Sequence, residues 1–541
     1  MNLAVLIDTV VLVAYFAGIV GIGLYAGRGN RDLREFALGG RTIPWWAVLA
    51  SIIAAETSAA TFLGTPAEGF KTRGFVYGQL VIGTILARVI IAFTFIKPYY
   101  HYRVQSIYEF LDVRFGQATK NTASAVFLFT RVLGIGVRLY LGGVIVVVIW
   151  RYFFPGTPVD TWTYFFGILA VTVVTTFYTM IGGIKAVVWT DVIQAMLMMA
   201  SVLFAMGLLL ERVGGLGAVR DTLGGWENLT WVQSGWDPAK PFGQALKAML
   251  EEPYTLFAAF IGSTFLTMAT HGTDQDMVQR MLTAPDYHKS RLSLILSGLA
   301  DVPIVVCFLS VGILLWVYYA RQGGAPAIAD NEIFAHYIVN EMPVGLRGLI
   351  ISGVFATMMG STSAALNALA TSFTKDFYLP YLNPKASDSQ AVLAARIATA
   401  VFGLLMIGVA TVAAYAVLEN PRLTIIPIAI GILGYTYGAL LGVFLLGMLT
   451  RGRGRDGANV VAMVLGMMGV LILCKIKLPL PGLAQPVNFG IFMPDWWPSI
   501  SWPWFVLVGC TVTVVVGGLF KTPVEQIEKA ERHVAERAPD A

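Results

Sequence analysis

Residues Ile52 to Gly64 read IIAAETSAATFLG, and the architecture turns on this stretch. It places Glu56, Thr57, Ser58 and Thr61 among small alanines, within an apolar run from Ile43 to Leu63 that is long enough to cross a bilayer. A charge at mid-bilayer is costly unless paired or hydrated, so an ionisable group there marks a functional site or an ion pair. Small residues let helices approach closely, and polar ones satisfy carbonyls released where a helix unwinds. The local sequence therefore admits two structures. One is a discontinuous helix whose freed carbonyls coordinate a cation; the other is a continuous, tightly packed interface helix.

Moving outward, the 541-residue chain is 57% hydrophobic and 13% charged, with a mean hydropathy of +0.71. Soluble domains carry about 25% charged side chains, so a soluble enzyme is excluded. The three cysteines, Cys307, Cys474 and Cys510, all lie in apolar runs, which leaves no disulfide framework or thiolate metal site to read. A net charge of +5 is too diluted to make a nucleic-acid footprint. Runs of about 20 mainly apolar residues recur about thirteen times, from Leu3 to Tyr25 through to Trp504 to Phe520. With the N-terminus outside and the C-terminus inside, most of the 37 Lys and Arg fall on inner connections and the tail, as the positive-inside rule requires. Arg88, Arg131 and Arg138 fall within spans.

The chemistry of Ile52 to Gly64 recurs downstream. ATMMGSTSAALNALATS, Ala356 to Ser372, puts Thr357, Gly360, Ser361, Thr362, Ser363 and Asn367 in one apolar span. Hydroxyls and carbonyls are hard oxygen donors suited to a hard cation, although membrane serines also bond back to their own turn. Asp191, in KAVVWTDVIQ, either completes such a site or caps its helix. Thr270 to Asp276, THGTDQD, interrupts the seventh run, and His271 there is either a titrating group or a hydrogen-bonded structural one. Arg131 and Arg138 are seven apart and share one helix face. They are placed to bind a carboxylate bidentately, or else to snorkel or pair with Glu56, Asp191 or Asp301.

PWWAV (Pro44 to Val48), VVWTDVIQ (Val187 to Gln194), VQRMLTA (Val278 to Ala284), STSAALNALATSFTKDFY (Ser361 to Tyr378) and FLLG (Phe444 to Gly447) together resemble the sodium:solute symporter family. The resemblance implies an all-α polytopic membrane protein with LeuT-like inverted five-helix repeats. It places a leading helix and inner loop at 1–42, the repeats at 43–212 and 245–450, an outer loop at 213–244, two trailing helices at 451–520 and a cytoplasmic tail at 521–541. The second and seventh runs are then the broken helices. It also implies a sodium site from carbonyls of Ala54 and Thr57 with Thr357, Gly360 and Ser361, where Gly360 departs from the serine of many members. A second sodium is implied at Asp191 and Ser363, with Ala364 standing where a serine is expected.

The solute is expected among Glu56, Ser58, Thr61, Thr84, Arg131, Arg138, Thr267, Thr270 and His271. The sugar branch's glutamine, glutamate and asparagine fall on Thr61, Val81 and Thr267, its inner aromatic gate on Thr270 and a further glutamine near Ile430, which argues against a galactose-like mode. The carboxylate-binding arginine of the sialic-acid branch falls at Gly134, between Arg131 and Arg138. The resulting expectation is a plasma-membrane symporter that imports a small organic solute with sodium, a monocarboxylate-like anion first and a sugar or polyol second. A transporter-like sensor is the alternative of another class, and the short tail argues against it. Sodium, the solute and the bilayer are the expected partners, with no nucleic acid and no obligate protein partner. No nucleophile and base converge as an enzyme would require.

Overall fold

A computed structural model describes residues 3–29, 32–154, 156–419, 425–478 and 485–537. Among them the only sheet is a two-stranded ribbon pairing Lys477–Leu478 with Val487–Asn488; the rest is helix and connections. Nine described helices are by themselves long and apolar enough to cross a bilayer. The helices that build the site are α1 (Leu3–Ala26), α2 (Trp45–Glu56), α3 (Ala59–Thr72), α4 (Val81–Thr94), α5 (Gln117–Phe153) and α6 (Thr161–Arg212). They are followed by α7 (Ser263–Gly272), α8 (Gln275–Met281), α9 (Tyr287–Arg321), α10 (Leu346–Phe373), α11 (Asp388–Glu419) and α12 (Ile425–Leu449). The eleventh expected apolar run, Leu423 to Leu449, starts outside the described residues.

The fifth and sixth expected apolar runs, Trp162 to Ile181 and Ala186 to Leu210, form one string of helix, α6, 52 residues long. At 1.5 Å per residue it would extend about 78 Å if straight, far beyond a hydrocarbon core of about 30 Å. It folds at Gly183, where φ is 56° and ψ is −152°. Helix α1 shows that the fold is a hairpin. Near the start of α1, Asp8 accepts hydrogen bonds from Gly345 and Gly348 N, while Gly27 just past its end abuts Gly182 at the elbow of α6. The far end of α6 returns to the Asp8 side, where Arg212 donates to the Glu341 carbonyl (2.6 Å). Only glycine adopts the Gly183 conformation freely, and a Cβ there would lie 2.7 Å from the Phe36 carbonyl oxygen. Gly183→Ala is expected to destabilise by at least about 1–3 kcal/mol, read as a lowered Tm of the detergent-purified protein.

Helix α10 is the central post: 25 of its 28 residues are buried. Asp8 of α1 caps its first turn, since its Oδ1 accepts the Gly345 and Gly348 N–H groups and its Oδ2 accepts Arg347 Nε at 2.7 Å. Those N–H groups have no partner within the helix, and an acid there also complements the helix dipole. Helices α3 and α9 cross backbone to backbone: a Cβ on Gly312 would lie 2.0 Å from the Pro66 carbonyl oxygen, and one on Gly69 2.3 Å from that of Leu309. Outward faces are apolar. On α11, Leu393, Ile397, Val401, Leu404, Val412 and Tyr415 are all exposed, at helical spacing, a stripe suited to lipid. The outer loop expected at 213–244 includes a short helix, Gly215–Leu223, and the connection between α9 and α10 another, Ile333–Glu341.

Candidate ion and solute site

Both expected breaks are present. Helix α2 ends at Glu56, Thr57 and Ser58 are extended (ψ 94° and 168°), and α3 begins at Ala59. Ser58 caps α3 by accepting from Thr61 N (3.4 Å), the role its side-chain oxygen suits. The turn takes Ser58 N away from the Ala54 carbonyl, which has no backbone donor among the described residues. The second break separates α7 from α8 at Thr273 and Asp274, and Asp274 caps α8 by accepting from Asp276 N (2.9 Å). The discontinuous form of Ile52 to Gly64 is therefore the one observed.

Two charge networks hold the breaks in place. In the first, Arg88 pairs with Glu56 and with Asp301 (2.9 Å). The other oxygen of Glu56 lies 2.6 Å from His271 Nε2, and Thr270 Oγ1 lies 2.9 Å from His271 Nδ1. Both ring nitrogens of His271 therefore have a partner, Glu56 at one and Thr270 at the other. This network joins α2, α4, α7 and α9. In the second, Arg131 pairs with Asp274 and with Asp276 (3.0 Å), and Tyr437 Oη donates to Asp274 (2.5 Å). Arg280 pairs with Asp276 and with Asp191 Oδ2 (3.1 Å), while Ser51 Oγ donates to Asp191 Oδ2 (2.6 Å) and accepts from Arg280 Nε (2.8 Å). All five charged members are buried. Such networks persist because removing one partner strands a charge.

The expected cation ligands meet where α2 ends against α10. A methyl group built on Gly360 would lie 2.9 Å from Gln194 Oε1, 3.3 Å from the Ala54 carbonyl oxygen and 3.5 Å from Asp191 Oδ1. Gln194 Oε1 and Asp191 Oδ1 are buried without a hydrogen-bond partner, so this spot is rimmed by oxygens with spare lone pairs, a donor set that fits sodium. The neighbouring hydroxyls bond back along α10: Thr357 to Val354 O (2.8 Å), Ser361 to Thr357 O (3.1 Å) and Ser363 to Gly360 O (3.1 Å). Each keeps lone pairs as an acceptor. Thr57 is buried at the break itself.

Of the residues expected around the solute, Glu56 and His271 have their polar groups met inside the protein by the partners just given, and Arg131 is ion-paired through Nη2 while its buried Nε has no hydrogen-bond partner. For Arg131 those partners are Asp274 and Asp276, not the Glu56, Asp191 or Asp301 considered from sequence. Arg88 is the residue that pairs with Glu56 and Asp301. Thr84 bonds back to Val81 O (2.9 Å), Thr270 lies against His271, Thr267 is buried on α7, and Ser58 and Thr61 lie 3.4 Å apart at the α2–α3 break. Arg138 differs: half-buried on α5, it makes no ion pair or hydrogen bond among the described residues, although it lies within electrostatic range of Arg131, Asp274 and Asp276. Arg280, one of the charges that the N-terminus-outside reading assigns to the inner connections, is a correction: it lies on α8, fully buried where α8 meets α2 and α6. Its one sequence signal was Asp276, four residues earlier on the same helix face.

Two broken helices bonded directly to each other beside a buried central post, with a polar ion pocket at the first break, define a secondary transporter of the LeuT-like architecture. The model of the sodium:solute symporter family matches residues 36–466, and the chain belongs to that family. It is 29% identical to a sodium-dependent multivitamin transporter of Oryctolagus cuniculus over 86% of this chain and 69% of that one. It is 26% identical to a sodium/sialic acid symporter of Proteus mirabilis, over 86% and 89% of the two chains. It is 25% identical to the sodium-coupled monocarboxylate transporter 1 of Homo sapiens, over 93% and 85%. A solved sodium-coupled sialic acid symporter shares the fold, with a TM-score of 0.76 and 23% identity over 95% of this chain and 97% of that one. The protein is a multi-pass, sodium-coupled symporter of solutes.

Proposed function

We propose that this symporter imports a small organic anion together with sodium, and that Arg138 receives the anion's carboxylate. The observation that carries the reading is the unpaired state of Arg138. Arg88, Arg131, Arg280 and Arg347, all buried, each have a carboxylate partner. A half-buried guanidinium without one is costly unless a ligand completes it, and its planar fork suits a carboxylate. Relatives named for sialic acid and for monocarboxylates take solutes of that kind. Sodium would be held by Ala54, Thr57, Thr357, Gly360 and Ser361, with Asp191 and Ser363 beside them. Because those groups lie at the broken end of α2, on α10 and on α6, sodium binding favours one arrangement of the break and thereby raises affinity for the solute. Rocking of one repeat (43–212) against the other (245–450) then exposes both ligands inward, with the N-terminus outside and the C-terminus in the cytoplasm.

The test is a thermal-shift screen of the purified protein against monocarboxylates, sialic acid, neutral sugars and neutral amino acids, each in sodium or choline chloride. A ligand at 100 times its Kd adds about 2.7 kcal/mol. Stabilisation by carboxylates in sodium only is expected, and stabilisation by neutral sugars alone would end the anion reading. Uptake of the same solute is expected to need sodium and to be largely lost in Ser361→Ala and Thr57→Val proteins.

A further inference from the structure

Helix α8 carries Gln275 and Gln279 one turn apart on one face, both buried. Gln275 pairs with the backbone of the connection between α4 and α5: its Nε2 donates to the Gln105 carbonyl (2.9 Å) and its Oε1 accepts from Ile107 N (2.9 Å). Gln279 Nε2 is anchored on α10 by Asn367 Oδ1 (2.6 Å) and Thr371 Oγ1 (3.1 Å) and reaches across to the Ala37 carbonyl (2.7 Å), in the connection that leads into α2. Beside them Ile43 N donates to the Thr283 carbonyl (3.2 Å) and Tyr100 Oη to that of Met281 (3.0 Å). These bonds join the second repeat to the segments before α2 and after α4. They close a seam on the face where α6 has its elbow, since Lys185, two residues past Gly183, pairs with Glu35 of the same connection (3.6 Å). Seam and mid-membrane differ in kind. In the middle, α8 is held to α5 and α6 by charge, Arg131 to Asp276 and Arg280 to Asp191, and parting a buried ion pair strands a charge. The seam bonds just named are neutral, and water replaces each of them at modest cost. Asn367 Nδ2 is buried there without a hydrogen-bond partner, so the shut seam leaves unmet a donor that opening would hydrate.

We propose that Gln275 and Gln279 are positioning residues that latch the gate on the elbow face. The charged middle is the pivot, and the two amides part from Ala37, Gln105 and Ile107 when that face opens to release solute and sodium. This rests on the rocking of the repeats proposed above and names the bonds that rocking breaks. Sodium held between the end of α2 and α10 favours the latched arrangement, because the connection carrying Ala37 leads into α2. Ion and latch are therefore coupled: weakening the latch raises the sodium concentration needed to keep the face shut.

The test reads closure of the seam at Ala370, a fully buried residue of α10 that shares one apolar cluster with Leu33 and Phe36 of the connection before α2. Lifting that connection uncovers it. Full-length detergent-purified protein carrying Ala370→Cys is labelled with a maleimide while sodium replaces choline at constant ionic strength, and protein with the native cysteines alone gives the blank. Labelling is expected to be fast in choline and to fall to a floor as sodium saturates. Adding Gln279→Leu or Gln275→Leu is expected to raise the half-protecting sodium concentration by at least about fivefold, with the floor unchanged. Thr371→Val, nearly isosteric and losing a single bond, is expected to raise it about twofold, and serves if the glutamine variants fail to fold. An unchanged midpoint in either glutamine variant, or in Thr371→Val where that variant stands in for them, overturns the latch. So does an unchanged midpoint with a higher floor, because packing merely loosened around α10 exposes the reporter whether or not sodium is bound. Labelling of the Ala370→Cys parent that ignores sodium overturns the rocking on which the latch rests.

Discussion

Arg138→Met is expected to lose at least about 100-fold in apparent affinity for the carboxylate solute, close to 2.8 kcal/mol, while its Tm in choline stays at or above that of the wild type. Both halves follow from one observation. Arg138 has no ion pair or hydrogen bond among the described residues, so removing its charge strands no partner. It also relieves a half-buried guanidinium of its desolvation. The solute, by contrast, loses a charge-assisted bidentate contact, and truncating one side of such a pair costs about 2–5 kcal/mol. Arg138→Lys keeps the charge without the fork and is expected to fall between the two proteins. Arg131→Met makes the contrast: its guanidinium bridges Asp274 and Asp276 at the second break, so it is expected to lower the Tm first. Uptake by Arg138→Met with a wild-type KM for the carboxylate would remove this arginine from the solute site.

Periodicity and composition made the spans legible because a bilayer imposes a length and a polarity on every one of them. The break at Thr57 was legible for a related reason: a glutamate and two hydroxyls amid alanines make sense at mid-span only if the backbone opens or the charge is paired, and here both occur. Pairing partners were not legible. Arg131 and Asp274 are 143 residues apart, and Arg280 and Asp191 are 89 apart. Nothing local distinguishes a guanidinium that will meet a distant carboxylate from one that will not; Arg131 and Arg138, alike in sequence, differ in that Arg131 is ion-paired and Arg138, among the described residues, is not. Gln194 escaped notice because an amide in a membrane helix carries no charge to account for, and its unpaired state exists only once α6 packs on α10. The Gly183 elbow read as a gap between two runs, since a glycine with positive φ and an ordinary short loop share one signature.

Arg280→Met is expected to be the most damaging single change in the molecule, at about 3–5 kcal/mol or more. Its guanidinium, fully buried, is shared by Asp191 and Asp276 and also donates to Ser51 Oγ, so its loss strands Asp191 and takes from Asp276 one of its two arginines. Arg131 still reaches Asp276, at 3.0 Å, but nothing among the described residues replaces Arg280 at Asp191. Arg280→Met/Asp276→Asn is therefore expected to recover part of the loss, and a double change that also neutralises Asp191 more of it. The comparison of salts is more telling than the size of the deficit. If sodium binds at Asp191 Oδ1, the cation supplies the positive charge that Arg280→Met removes, so the Tm deficit should be larger in choline than in sodium chloride. Thermal unfolding of both proteins in both salts measures it. A Tm within a degree or two of the wild type in choline would show that the network is not what holds the breaks together. An equal deficit in the two salts would place the ion away from Asp191, because a group already neutralised by sodium must feel the loss of its arginine less than one that is not.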